Sequence, residues 1–252
     1  MERTTLPGRL VWRLGRVVQI VEETPRAKSL VLDVPDWAGH KAGQHVDVRL
    51  TAEDGYQAER SYSIASPPED PHLTLTIERL DDGEVSPYLT DALQPGDQLE
   101  LRGPIGGYFT WQAADGGPLL LIAGGSGIVP LMAMIRHRAA QHSRVSTCLL
   151  YSSRAFEEII YRQELDRLSA ADPTLTVIHT LTRRQPPDWA GQRRRIDPAM
   201  LAELTWPPSA QPQVFVCGPT ALVETVATAL VDLGHDSLRV KTERFGPSGG
   251  TA

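Results

Sequence analysis

Residues 118–135 form an uncharged run, and no other stretch limits the possible folds of this chain more. Its length approaches that of a membrane helix. Its middle, however, reads Gly124-Gly125-Ser126-Gly127, with Pro130 soon after. Glycines favour a sharp turn, and proline argues against one continuous span. The run therefore reads as strand, tight turn and helix. Leu119-Leu120-Leu121-Ile122-Ala123 is apolar at every position, as a strand covered on both faces requires. The helix start behind the glycines offers unpaired N–H groups and a dipole suited to phosphate. The spacing is not G-x-G-x-x-G, so an ordinary strand-to-helix turn stays open as an alternative.

The chain on either side of this run has two textures. Before it, valine-rich or alternating segments at 16–21, 29–34, 45–50, 61–65, 73–79 and 98–101 are separated by turn residues. That pattern predicts an antiparallel barrel or sandwich, interrupted by one short helix at 86–93. After it, apolar strands at 119–123, 147–151, 175–180, 214–217 and 238–242 alternate with helices at 129–140, 161–169 and 221–233. This alternation predicts a parallel sheet covered on both faces. Ala113-Ala114-Asp115-Gly116-Gly117 reads as the linker between them. The expected organisation is thus a β domain over residues 1–113 and an α/β domain over 118–252.

Composition removes several classes. At 252 residues, 41% hydrophobic and 22% charged, the chain is globular and long enough for two cores. A net charge of −6 does not suggest a nucleic-acid surface. Arg183, Arg184, Arg193, Arg194 and Arg195 still gather locally, as a solvated loop or as an anion site. Two cysteines, Cys148 and Cys217, cannot supply the four thiolates of an ordinary iron–sulfur cluster. Redox activity would need an organic cofactor. Met1-Glu2-Arg3-Thr4-Thr5 lacks the apolar core of a secretory signal, so a cytoplasmic protein is expected.

Three further motifs have chemical potential, each with a plainer reading beside it. Arg60-Ser61-Tyr62-Ser63 lies on a strand. Arginine can hold a diphosphate, tyrosine can stack on a planar ring, and serine can reach a ring nitrogen; an exposed strand with polar decoration is the plain alternative. Gly83-Glu84-Val85-Ser86 opens the short helix, as a phosphate cradle or a simple N-cap. Val214-Phe215-Val216-Cys217-Gly218-Pro219 ends a strand, at the sheet edge where ligands bind. There Cys217 is either a site residue or a small apolar one.

Taken in order, Arg60-Ser61-Tyr62-Ser63, Gly83-Glu84-Val85-Ser86, Gly124-Gly125-Ser126-Gly127, Cys217-Gly218-Pro219 and the closing Glu243-Arg244-Phe245 make a set. The set resembles the ferredoxin–NADP reductase family over nearly the whole chain, from about Leu14 to Phe245. The resemblance implies a Greek-key FAD-binding barrel followed by a Rossmann-like domain for NADP(H) or NAD(H). It implies that Arg60 grips the flavin phosphates, Tyr62 packs on the flavin and Ser63 hydrogen-bonds near flavin N5. Gly83, Val85 and Ser86 would cradle the diphosphate, with Ser61 and Arg79 among the cofactor-binding residues. Gly124, Gly125, Ser126 and Gly127 would carry the nicotinamide cofactor's pyrophosphate, and Gly218 and Pro219 would border it. Cys217 would place the nicotinamide, Phe245 would cover the flavin ring, and Glu243 would join the polar network. Ser63, Cys217 and Glu243 form the expected catalytic set.

Two departures refine the expectation. Ser126 stands where the family commonly has threonine, and residues 246–252 continue past Phe245. The second feature brings the chain closer to the bacterial oxygenase-reductase branch. Without the cysteines for an iron–sulfur domain, the electrons would go to a separate ferredoxin, haem or metalloprotein. A free-flavin or quinone reductase and a non-catalytic flavin-binding subunit are the rival readings. For the donor, Ser153, Arg154 and Arg183 suit a 2′-phosphate and favour NADPH, whereas Glu157 and Glu158 argue for NADH.

Overall fold

The structure is a computed structural model that describes residues 10–245. Met1–Thr5 and the continuation at 246–252 lie outside the described residues. Six antiparallel strands come first: β1 (Trp12–Thr24), β2 (Ala27–Asp33), β3 (His45–Thr51), β4 (Gln57–Ser63), β5 (Leu73–Glu78) and β6 (Gln98–Ile105). Their order is β4-β3-β6-β1-β2-β5. A bridge from Ile64 to Leu75 joins the two outer strands and closes the sheet into a barrel. The alternation read from the sequence fills its inside with Val17, Leu30, Leu32, Val46, Val48, Leu75, Ile77 and Leu101. The expected helix at 86–93 is a single turn, Tyr88–Ala92.

The second half contains β7 (Leu119–Gly124), α1 (Ile128–Ala140), β8 (Thr147–Ala155), α2 (Arg162–Ala171), β9 (Leu175–Arg184), α3 (Pro198–Leu204), β10 (Gln213–Pro219), α4 (Thr220–Asp232) and β11 (Val240–Phe245). The sheet is parallel, ordered β11-β10-β7-β8-β9. Every residue of β7 is buried. Leu119 and Leu121 pack toward α1, and Leu120 and Ile122 toward α3 and α4. The chain steps from β7 to β8 and β9, then crosses back to β10 and β11. The carboxyl ends of β7 and β10 therefore flank the topological switch point. Among the described residues no helix is long and apolar enough to cross a membrane.

The segment at 113–117 connects the two units as a packed turn. Ala113–Asp115 forms a 3-10 turn, the buried Trp111 indole donates to the Gly116 carbonyl at 3.1 Å, and Gln213 bonds the Asp115 carbonyl at 2.9 Å. Helix α3 was not read from the sequence. Its signal was Asp197-Pro198, with the Asp197 carboxylate accepting from the Met200 N–H at 2.7 Å.

The barrel and the α/β unit share a core in which Ala27, Ala42 and Ala65 pack with Met132, Met134 and Trp111. His137 on α1 accepts from the Ala113 N–H at 3.2 Å through Nε2, so Nδ1 donates to Glu69 of the barrel at 2.8 Å. On the other flank, Lys241 donates to the Thr110 carbonyl at 3.2 Å. Gly43 sits in this seam at φ +99°, where an added Cβ would collide with the Phe109 carbonyl oxygen. Gly43→Ala should cost about 2–4 kcal/mol, from strain plus overpacking. Gly55→Ala, at φ +86° but with open space around it, should cost about 1 kcal/mol. Denaturant midpoints of the two variants check the difference.

Candidate functional site: a crevice between barrel and sheet

The glycine loop is built by close approach as much as by turning. Gly125 takes the left-handed conformation at φ +54°. A Cβ on Gly127 would run into the Cys217 carbonyl, and one on Gly124 would stand 2.8 Å from Leu222 Cδ1. From the other side, a Cβ on Gly218 would lie 3.0 Å from the Gly124 carbonyl oxygen. The ends of β7 and β10 are thus pressed together without side chains between them. Ser126 lies within this turn. Helix α1 starts behind it with no side-chain cap, which leaves first-turn N–H groups for an anion.

Cys217 is fully buried. Burial pushes its thiol well above the ordinary range, and the nearby Glu243 carboxylate adds to that. It is a small neutral group here, not a thiolate. Glu243 pairs with it in register across β10 and β11. Its Oε2 is buried without a hydrogen-bond partner, and burial raises its pKa to about 7. Phe245, opposite Pro219 in the same ladder, packs on the α/β core.

On the barrel, Ser63 ends β4 with 5% exposure, and its buried Oγ has no partner. Tyr62 packs on the barrel core, and burial holds its phenol protonated, with a pKa near 12. Arg60 donates to Glu84 at 3.0 Å, and the Tyr56 hydroxyl donates to the same carboxylate at 3.3 Å. Two motifs separate in the sequence therefore meet. Arg60 and Glu84 keep 44% and 55% exposure, so the pair is weak and readily exchanged for a phosphate. Val85 anchors the second motif in the barrel core. The Ser86 oxygen accepts from the Leu80 N–H at 3.0 Å, and a Cβ on Gly83 would come within 2.9 Å of that oxygen. Ser86 is first a brace for the turn, with its own proton left to donate.

Ser61 bonds Asp47 at 2.7 Å on the outer barrel surface. Arg79 is engaged by Asp91 at 2.8 Å and by Asp81, which also binds Arg26. Ser153 is buried at the end of β8 with an unpartnered Oγ. Arg154 is exposed at a bulge between Ser153 and Ala155, and Arg183 is exposed near the end of the paired strand β9. Glu78 was not singled out from the sequence. Its Oε2 lies 3.8 Å from where a Cβ on Gly125 would stand, so it joins the crevice from the barrel side.

Two buried, unpartnered polar atoms from different units, Ser63 Oγ and Glu243 Oε2, fit an organic cofactor with hydrogen-bonding edges. The glycine-rich turn at the uncapped start of α1 fits a pyrophosphate. Comparison with known proteins agrees. The oxidoreductase FAD-binding domain family matches residues 15–110, and the oxidoreductase NAD-binding domain family matches 121–228. Over 239 residues the chain is 32% identical to ferredoxin–NADP reductase B of Sorangium cellulosum, covering 92% of this chain and 96% of that one. It is 33% identical over 242 residues to the glycine betaine monooxygenase reductase subunit of Pseudomonas aeruginosa, covering 93% of this chain. It spans only 64% of the length of that relative. In structure it matches the flavohaem-like FAD/NAD-binding domain of nitric oxide dioxygenase from Vibrio cholerae with a TM-score of 0.83 at 26% identity, covering 93% and 99% of the two chains. The chain thus carries an oxidoreductase FAD-binding domain followed by an oxidoreductase NAD-binding domain. The chain belongs to the ferredoxin–NADP reductase family.

The raised Glu243 pKa carries a stability signature. The folded protein keeps this proton to higher pH than the unfolded chain does. Stability from this group is therefore lost as pH rises from about 4.5 to about 7 and levels off above. The loss is roughly 3 kcal/mol. Glu243→Gln should remove that slope, which thermal midpoints of both proteins between pH 4 and 8 would show.

Proposed function

We propose that this protein is an NAD(P)H-dependent flavoprotein reductase that passes electrons to a separate redox protein. The observation carrying this reading is that an FAD-binding and an NAD-binding family match the two halves of the chain, while the barrel and the parallel sheet each hold a buried polar group without a partner, Ser63 and Glu243. Residues 1–113 would hold FAD and 118–252 the nicotinamide dinucleotide. When bound, the nicotinamide supplies a hydride and FAD supplies the conversion of an electron pair into single electrons. The protein's part is orientation and proton control. Arg60 and the Gly83–Ser86 turn would hold the FAD phosphates, and Tyr62 would present a neutral face to its ring. Ser63 Oγ would share a hydrogen bond with the ring edge. Glu243, half protonated near pH 7, would hold a proton at Oε2 beside the reacting region, while the neutral Cys217 keeps the site compact.

The separate acceptor is supported by relatives described as a reductase subunit of a monooxygenase and as a ferredoxin–NADP reductase. We place the protein in the cytoplasm, where thiols such as Cys148 and Cys217 stay reduced. The donor follows from charge. Arg184 binds Glu157 at 2.5 Å and reaches Glu158 at 4.0 Å. Glu157, one of the two acids that argue for NADH, is thereby engaged by an arginine. Arg154 and Arg183 have no carboxylate partner among the described residues, which favours the 2′-phosphate of NADPH.

Anaerobic mixing of the FAD-loaded protein with NADPH or NADH tests the reading. The flavin spectrum should bleach faster with NADPH. Arg154→Ala combined with Arg183→Ala should lower kcat/KM for NADPH by about tenfold to a hundredfold and leave NADH nearly unchanged. A flavin that neither donor bleaches would overturn the reductase reading. Reduction of free flavin in preference to a one-electron protein acceptor would overturn the choice of acceptor.

A further inference from the structure

We propose that Tyr161 and Arg136 are positioning residues that clamp the glycine-loop helix to the strands carrying Ser63 and so set the gap between the two cofactors. The inference rests on the reductase reading above and concerns residues outside both cofactor motifs.

Tyr161 occupies a left-handed backbone conformation at φ 59°, a costly place for a bulky side chain. What the position provides is reach. The ring is buried, and its hydroxyl donates to Thr76 Oγ1 on β5, across the seam between the two units. Thr76 and Ser29 share a hydrogen bond of 2.7 Å, and Ser29 donates to Glu23 at 2.6 Å. Since the Ser29 proton goes to the carboxylate, Thr76 donates to Ser29. The chain therefore runs in one direction, Tyr161 to Thr76 to Ser29 to Glu23, and every hydroxyl in it is satisfied.

Arg136 closes the same corner from α1. Its guanidinium lies 4.8 Å above the Tyr161 ring, binds Glu164 at 3.0 and 2.6 Å, and donates to the Ala65 carbonyl at 2.8 Å. With Tyr161 below it and Glu164 beside it, this side chain has one geometry.

The landing points give the clamp its meaning. Ala65 is two residues beyond Ser63, and Thr76 follows Leu75, which bridges to Ile64. Both contacts thus hold the short segment that ends in Ser63. On the other side, Arg136 belongs to the helix that the glycine loop begins. Thr76 lies two positions before Glu78 on β5, whose carboxylate meets Gly125. Loosening the clamp would let the glycine loop drift from Ser63 while leaving the direct cofactor contacts intact. Reaction between bound groups depends steeply on such displacement.

Tyr161→Phe keeps the ring, the stacking and the backbone strain and removes only the hydroxyl. Thr76→Val removes the acceptor from the barrel side, and Thr76→Ser keeps it. In stopped-flow mixing of the FAD-loaded protein with saturating donor, bleaching should slow about tenfold in Tyr161→Phe and in Thr76→Val. The apparent donor Kd should stay within about twofold, the double variant should be no slower than either single one, and Thr76→Ser should match the wild type. Independently of turnover, amide hydrogen exchange in residues 61–66 and 124–128 should accelerate about tenfold in both slow variants. Unchanged bleaching and exchange in both variants, or losses that multiply in the double variant, would overturn the clamp. A wild type that neither donor bleaches fails the reductase reading instead, and the exchange result then decides the clamp by itself.

Discussion

The turn after β7 approaches the end of β10 so closely that a Cβ on Gly127 would collide with the Cys217 carbonyl and one on Gly218 would press on Gly124, and much of the architecture follows from that contact. It brings Cys217 against the glycine loop and fixes the mouth of the sheet at the switch point of the topology. Glu243 pairs with Cys217 in register. Its carboxyl is therefore placed by strand pairing rather than by a loop, and burial there holds its proton to near neutrality. A single packing constraint thus delivers a backbone surface open to phosphate, a neutral thiol and a titrating acid within one wall of the crevice.

The opposite wall comes from the barrel and has value only if it stays in place. Domains joined by an exposed linker move against each other by default. Here the connecting turn is packed under Trp111, His137 ties α1 to Glu69, and Lys241 ties β11 to the loop after β6. These contacts make the seam a shared core with polar fastenings. In such an interior, hydrogen bonds that are fully satisfied fix one arrangement over its alternatives. Ser63 on the barrel and Glu243 on β11 are among the few buried groups that this network leaves without a partner.

Much of this was legible in the sequence because the two halves obey different periodicities. Alternation at period two marked the barrel strands, and unbroken apolar runs marked the buried parallel ones. Glycine and proline marked the turns of the site. The two faces of β7, by contrast, could be assigned only with the sheet in view. The packing of the turn at 113–115 left no sign, because alanine and glycine carry no local trace of the indole bonded to Gly116. The carboxylates beside Arg79, Asp81 and Asp91, are visible only in the fold. Tyr161, Thr76 and Glu78 left no local trace, since their importance arises from contact between segments far apart in the chain. The wrong-handed backbone at Tyr161 is not something a tyrosine in a sequence advertises. Where two nearby charges of opposite sign compete for a role, as with Arg154 and Glu157, only the partner that Glu157 takes, Arg184, separates them.

The central claim is that the buried Ser63 hydroxyl lacks a protein partner because the flavin completes it. Ser63→Ala tests this most directly, by anaerobic stopped-flow with FAD content measured on the same sample. The account predicts near-stoichiometric FAD and a rate of flavin bleaching at saturating NADPH lower by about tenfold to a hundredfold, the loss of one positioned hydrogen bond. Full FAD content with an unchanged bleaching rate would contradict it.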